Sequence, residues 1–267
     1  MNRQPAVAGY FYSGEKHRLE LELGKLVPVK KEKVRATAVV VPHAGYMYSG
    51  AVAGEVYASL ELPQTYLMLC PNHTGAGSDF DVWAEGEWLT PLGSVSVDAE
   101  LTAKLMHLFP RATRDGRAHL REHSLEVQLP FLQLLKGDIS IVAVCIRQHH
   151  YAYLEELGHA IAQVIRDSGN EILIVASSDM THYEKQERAR HKDQLAIEQM
   201  EKLSPRGLFD TVHNEDISMC GYLPVTAALI AALDLGATKG KLLKYATSGD
   251  ITRDYSSVVG YAGIIIT

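Results

Sequence analysis

Three apolar runs of this 267-residue chain each end in a polar group able to bind a metal, and a fourth such group opens a late helix. AVVVPHAGY delivers His43, YLMLCPNHTG delivers His73, LIVASSDMTHY delivers Asp179 and His182, and SMCGYLP delivers Cys220. Imidazole is the commonest metal ligand, and a proline just before it ends the strand and stiffens the turn that carries it. Asp179 and His182 lie three residues apart, so one turn can present both. The carboxylate then ligates or orients the ring, and a histidine beside a metal-bound substrate moves protons. A plainer role for Asp179 is to cap a helix opening near Tyr183. Cys220, with Ser218 as a candidate cap, stands where a helix N-terminus favours thiolate; otherwise it packs. Cys145 lies inside an apolar run and belongs to the core, whereas Cys70, next to Pro71, either packs or approaches the site.

Ligands at strand ends need strands side by side. Short continuous runs of Val, Ile and Leu indicate strands buried on both faces of a largely parallel sheet, and in open α/β sheets ligands bind beyond the carboxyl ends of the strands. Strands are expected at Ala36–Val41, Tyr66–Cys70, Phe80–Ala84, Glu87–Thr90, Ser140–Ile146, Ile172–Ser177, Leu242–Thr247 and Val258–Ile266. Helices are expected at Lys16–Leu26, Ala51–Leu60, Asp98–Leu108, Ser124–Leu135, Tyr153–Asp167, Ala189–Leu203, Pro205–Asn214 and Gly221–Leu235. Ser204 before Pro205 reads as an N-cap and first helical residue, and Gly236 as a stop. This alternation predicts one three-layer α/β/α domain with a largely parallel or mixed sheet. The Phe80–Thr90 stretch is expected to form an edge hairpin, and the final VVGYAGIII a central strand.

A second pattern competes for the chemistry. His119-Leu120-Arg121-Glu122-His123 fits the H-x-x-E-H string of one zinc peptidase class, in which a helix presents two histidines and a glutamate base. Against it, Leu125, Leu129 and Leu132 fall at core spacing and Pro130 interrupts a helix there. Bulk properties exclude other classes. A net charge of −6 offers no basic field for nucleic acid or anionic membrane, and Lys30-Lys31-Glu32-Lys33 reads as a solvated connection. Three scattered cysteines form no disulfide framework, and no run reaches the ~20 apolar residues of a membrane span. A cytoplasmic location is expected.

PHAGYMYSG, CPNHTG, EHSLEVQLPFLQ, SSDMTHY, MCGYLP and SGD occur in this order. By these blocks the chain is identified as a member of the Memo family, a resemblance that runs from PAVAGYFY to SSVVGYAG. It implies the fold of the class III extradiol ring-cleaving dioxygenases, which hold non-haem Fe(II) between two histidines and a carboxylate. Matched by motif, His43 and His73 are implied as metal ligands, with Cys220 where those enzymes carry a glutamate. His182 would match their catalytic histidine, with Asp179 beside it. Family members are associated with iron or copper and redox activity, animal members with phosphotyrosine peptides, and prokaryotic members with a radical SAM protein in the AmmeMemoRadiSam grouping.

The chain departs from the family pattern at Cys70, where glycine is common, and at Phe11-Tyr12, often Trp-Tyr; Tyr48 remains as a pocket hydroxyl. A thiolate is softer than a carboxylate and shifts preference toward zinc, copper(I) or a distinct iron chemistry. Fold likeness does not carry ring cleavage with it. The expectation is a mononuclear Fe(II), or copper or zinc, oxidoreductase acting on a small molecule or peptide. The alternative is a binding module for phosphorylated or anionic peptides in the same pocket, with the peptidase more remote.

Overall fold

A computed structural model describes residues 2–267. Its centre is four parallel strands, β7 (Ser140–Ile146), β3 (Thr65–Pro71), β8 (Ile172–Ser177) and β2 (Ala38–Val41), side by side in that order. Antiparallel pairings extend the sheet beyond β2 through β11 (Val258–Ile266) and β10 (Gly240–Thr247). Beyond β7 it continues through β6 (Gly93–Val97), β5 (Glu87–Thr90) and β1 (Asn2–Arg3), giving a mixed sheet of 11 strands with β4 (Phe80–Trp83) and β9 (His182–Glu184). The closing VVGYAGIII is an interior strand, as its apolar content predicts.

Alternate residues of the central strands face opposite layers, because side chains along a strand alternate. Ala38, Val40, Leu67, Leu69, Ile174 and Ala176 face α3 (Ala99–Leu108), α5 (Tyr151–Ser168), α6 (Gln186–Glu201), α7 (Pro205–Asn214) and α8 (Tyr222–Asp234). Val39, Val41, Tyr66, Met68 and Val175 face α1 (Lys16–Leu26), α2 (Tyr46–Ala58) and α4 (Leu129–Lys136). This is the expected α/β/α sandwich. Ser204 accepts the Gly207 N–H as the cap of α7, and Gly236 takes a positive φ just after α8.

The differences from expectation have local causes. Phe80–Trp83 and Glu87–Thr90 do not pair with one another: β4 lies against β7, and β5 forms its hairpin with β6. Gly93–Val97 is a strand that alternates serine outside with Val95 and Val97 inside. Pro130 does not break a helix but opens one, since its missing N–H costs nothing in a first turn; Glu126–Gln128 before it is a single 3₁₀ turn. Helix α2 begins at Tyr46, five residues earlier than expected, so it starts just beyond His43.

Candidate metal centre

Strands β3, β8 and β2 end on one edge in adjacent positions, with Leu69 opposite Ala176 and Val41 opposite Ser177. The residues that follow are His43, His73 and the Ser178–His182 loop. Behind them, Gly221 lies so close to Ser177 and Ser178 that a side chain there would collide with the backbone, and its N–H donates to Ser178 Oγ. That approach brings Cys220 to the same edge.

His43 is buried and held at both ends. Its backbone N–H donates to Asp179 Oδ1 at 2.8 Å, and its ring Nδ1 lies 2.9 Å from Ser177 Oγ. The Ser177 hydroxyl gives its one proton to the Ser124 carbonyl and also accepts from Gln128 Nε2. It therefore accepts from His43 Nδ1–H, which leaves Nε2 as a bare lone pair. Cys220 Sγ sits 3.2 Å from that nitrogen.

His73 is fixed by one carboxylate. Its backbone N–H and ring Nδ1 both bond Glu122, at 2.7 and 2.9 Å, so its Nε2 also carries no proton when the ring is neutral. Glu122 is itself buried and takes the N–H groups of His123 and Ser124 and the Ser124 hydroxyl. Burial opposes its ionisation, but the His73 hydrogen bond and the charges of His73 and His123 outweigh it, and its pKa falls far below the carboxylate range. Burial likewise opposes protonation of His73, and the Glu122 bond and charge reverse the outcome, leaving its pKa raised.

His123 completes a cluster that neither strand end supplies. Its ring stacks on His73 with centroids 4.9 Å apart and stands edge-on to His43 at 5.4 Å. Nitrogen donors of His43, His73 and His123 all lie within 4.8 Å of one another. Two donors on one ion with bonds of about 2.1 Å are roughly 3.0–4.2 Å apart, so donors gathered this closely could hold a metal ion. Burial and the charges of the neighbouring rings lower the pKa of both His43 and His123.

The histidines form the floor of a cavity of about 910 Å³ walled by Tyr10, Phe11, Met47, Tyr48, Tyr183 and Tyr261. Tyr10 and Tyr183 stand 89% and 78% exposed at its lips, Tyr183 with φ of 59°. Among the described residues no helix is long and apolar enough to cross a membrane.

The family model for Memo-like proteins matches residues 3–265. The chain belongs to the Memo family. It is 41% identical over 279 residues to a MEMO1 family protein of Methanopyrus kandleri, covering 99% of each chain. A MEMO1 family protein of Aquifex aeolicus is 43% identical over 265 residues, covering 98% of each. A solved structure of an uncharacterized protein from Escherichia coli K12 superposes with a TM-score of 0.53 at 18% identity, over 86% of this chain and all of that one. That likeness is one of fold alone.

In this Memo chain the sequence-selected residues divide. His43, His73, Asp179, His182, Phe11 and Tyr48 all line the cavity. Cys220 Sγ lies 3.2 Å from His43 Nε2 but is not in the group of donors that converge, which takes in His123. Its thiol is not activated as a helix N-terminus would have it: α8 starts two residues later, and burial and the Asp179 charge push its pKa up. Ser218 caps nothing. Its hydroxyl accepts the His182 N–H at 2.7 Å, and its carbonyl lies 2.9 Å from His182 Nδ1. Asp179 neither caps a helix nor holds His182; α6 opens at Gln186, and the Asp179 carboxylate holds the His43 backbone instead. Burial raises its pKa to about 6.

Cys70 does not reach the cavity. It is wholly buried opposite Cys145 on the neighbouring strand, and burial raises its pKa. The string His119–His123 is a run of turns, and His119 points away into a cage of Trp83 and Trp88, with Nε2 on the Asp81 carbonyl. The two-histidine helix of a zinc peptidase is absent there. Only its second half, Glu122-His123, reaches the site. A signal was present in the sequence: an acid beside a histidine is the pair that orients one ligand and supplies another.

Proposed function

We propose that this Memo protein is a mononuclear redox metalloprotein whose ion is held by His43, His73 and His123 at the floor of the cavity. The convergence of three imidazole donors, with the tautomers of His43 and His73 fixed by Ser177 and Glu122, carries this reading. Imidazole sites suit iron, copper and zinc alike; Fe(II) is the first candidate and copper the second. Such an ion, when bound, supplies a redox-active Lewis acid.

The surrounding residues then take distinct parts. Asp179 fixes the His43 backbone, and Cys220 lies ready as a further donor whose ionisation would accompany metal uptake. His182, with Nδ1–H committed to the Ser218 carbonyl, offers Nε2 as a proton acceptor to a ligand in the cavity. The aromatic walls favour a small molecule or peptide with apolar surface, excluding water around its polar end.

Anaerobic titration with Fe(II), followed by calorimetry, tests the reading. One ion per chain is expected. His73→Ala should weaken binding by about 3 kcal/mol, more than a hundredfold, since four ligands together contribute roughly 10–16 kcal/mol in structural zinc sites. Metal loading indifferent to both His73→Ala and His123→Ala would overturn it. Heat from a phosphorylated peptide on protein that takes up no metal would favour the binding-module reading.

A further inference from the structure

His123 sits in a turn, not at the end of a strand, so something other than the sheet must hold it. An anchor comes from the N-terminal segment. Arg3 is 1% exposed, and its guanidinium lies 4.2 Å over the Trp88 ring. Its Nε donates to the His119 carbonyl at 2.7 Å, and a second nitrogen donates to the Glu122 carbonyl. The third bonds Glu126 Oε2 at 2.8 Å. One rigid fork thus grips the segment on both sides of His123, which is the geometry that guanidinium provides and ammonium does not.

Glu126 closes the arrangement. Its carboxylate also takes the N–H groups of Ala6 and Val7, at 2.7 and 3.0 Å, and the Tyr12 hydroxyl at 2.8 Å. The segment between Arg3 and Tyr12 is thereby laid along the 119–126 turn. From that segment Phe11 places its ring edge-on against His123, with centroids 4.9 Å apart. An unpaired buried charge is costly, so this ion pair and its carbonyl partners form or fail together.

We propose that Arg3 is a positioning residue of the metal centre: through the His119 and Glu122 carbonyls and Glu126 it sets the His123 ring against His73 and His43. The N-terminal segment is therefore part of the site and not merely beside it. This inference rests on the three-histidine reading above for its effect on metal, but its geometric half can be read without metal.

The experiment pairs Co(II) binding, followed by its visible absorption bands, with ring ¹H–¹⁵N spectra of the histidines in metal-free protein. Arg3→Lys keeps the charge but loses the fork. Because substitutions behind a metal ligand cost about 10–100-fold in affinity, Arg3→Lys should weaken Co(II) about tenfold and alter the band pattern. In a His123→Ala background the same substitution should change affinity less than twofold. The ring signals of His123 should move in Arg3→Lys while those of His182 stay. An equal loss in both backgrounds, or a folded Arg3→Lys with unaltered affinity and His123 signals, would overturn the proposal. Should Arg3→Lys not fold, Tyr12→Phe loosens Glu126 alone, and the same two readouts decide, with a smaller loss expected. Should the wild-type protein take no Co(II), the metal reading fails, and the His123 ring signals alone decide the role of Arg3.

Discussion

Beneath α3, α5, α7 and α8 the buried layer is almost wholly Ala, Val, Leu, Ile and Met, whereas the opposite layer, beneath α1, α2 and α4, is built around large aromatic rings. There Tyr12, Tyr46, Tyr57, Trp88 and Phe131 enclose Arg3, His119, Glu122, Glu126 and Gln128, all buried. Aliphatic packing is without direction and contributes stability in proportion to area. Hydrogen bonds to buried carbonyls and carboxylates have direction, and they fix where a particular ring points. Each histidine of the cluster is held by this second kind of layer: His43 through Ser177 and Gln128, His73 through Glu122, and His123 through the turn that Arg3 grips. The aliphatic layer keeps the strand ends together; the aromatic–polar layer aims what stands on them.

The sharpest way to break this contrast is to damage the aliphatic layer alone. Leu157 on α5 is fully buried on that face. Leu157→Ala should cost about 2–5 kcal/mol of folding stability by chemical denaturation, through lost transfer energy and a residual cavity. Metal affinity of the folded fraction should stay within twofold. A loss of affinity matching that of a ligand substitution would mean that the layers are not separable.

Glu122→Gln reverses the expectation. The amide is nearly isosteric, so most of the packing survives, but the charge that balances His73 is gone. Metal affinity should fall about 10–100-fold, equivalent to roughly 1.4–2.7 kcal/mol. Competition against a chromophoric chelator measures it. Unchanged affinity would show that His73 needs only a hydrogen-bond acceptor and not a carboxylate.

How far this division was legible follows from how each part is encoded. Ser140–Ile146, Ile172–Ser177 and Val258–Ile266 are uninterrupted apolar runs between breakers, and their bounds are those of β7, β8 and β11. His43 and His73 stand at the ends of such runs, so local pattern alone places them on one sheet edge. His123 has no such marker. It lies in a turn whose shape comes from contacts with residues more than a hundred positions away, Arg3 among them, and no spacing rule contains that distance. Read as a helix, the same string pairs His119 with His123; folded as turns, it sends them to opposite sides. Local pattern marks Asp179, Cys220 and Ser218 as site residues or caps, yet their partners follow from how β8 and the start of α8 pack. Strands as short as His182–Glu184 carry too few residues to show any period.

The smallest expected effect probes the link between the layers. Tyr57 on α2 donates to Gln128 Oε1 at 2.9 Å, and Gln128 Nε2 in turn donates to the Pro42 carbonyl and to Ser177 Oγ. Ser177 receives His43 Nδ1–H, so a chain of four groups runs from a helix to a ring of the histidine cluster. Tyr57→Phe leaves the amide oxygen of Gln128 without that donor while its NH₂ bonds persist. Stability should fall by about 1 kcal/mol, the usual net worth of one buried hydrogen bond. If direction is passed along the chain only by the groups in contact with each ring, metal affinity should move by less than twofold. A larger loss would show that Gln128 turns when unanchored and takes Ser177 with it, extending the aiming layer outward to α2.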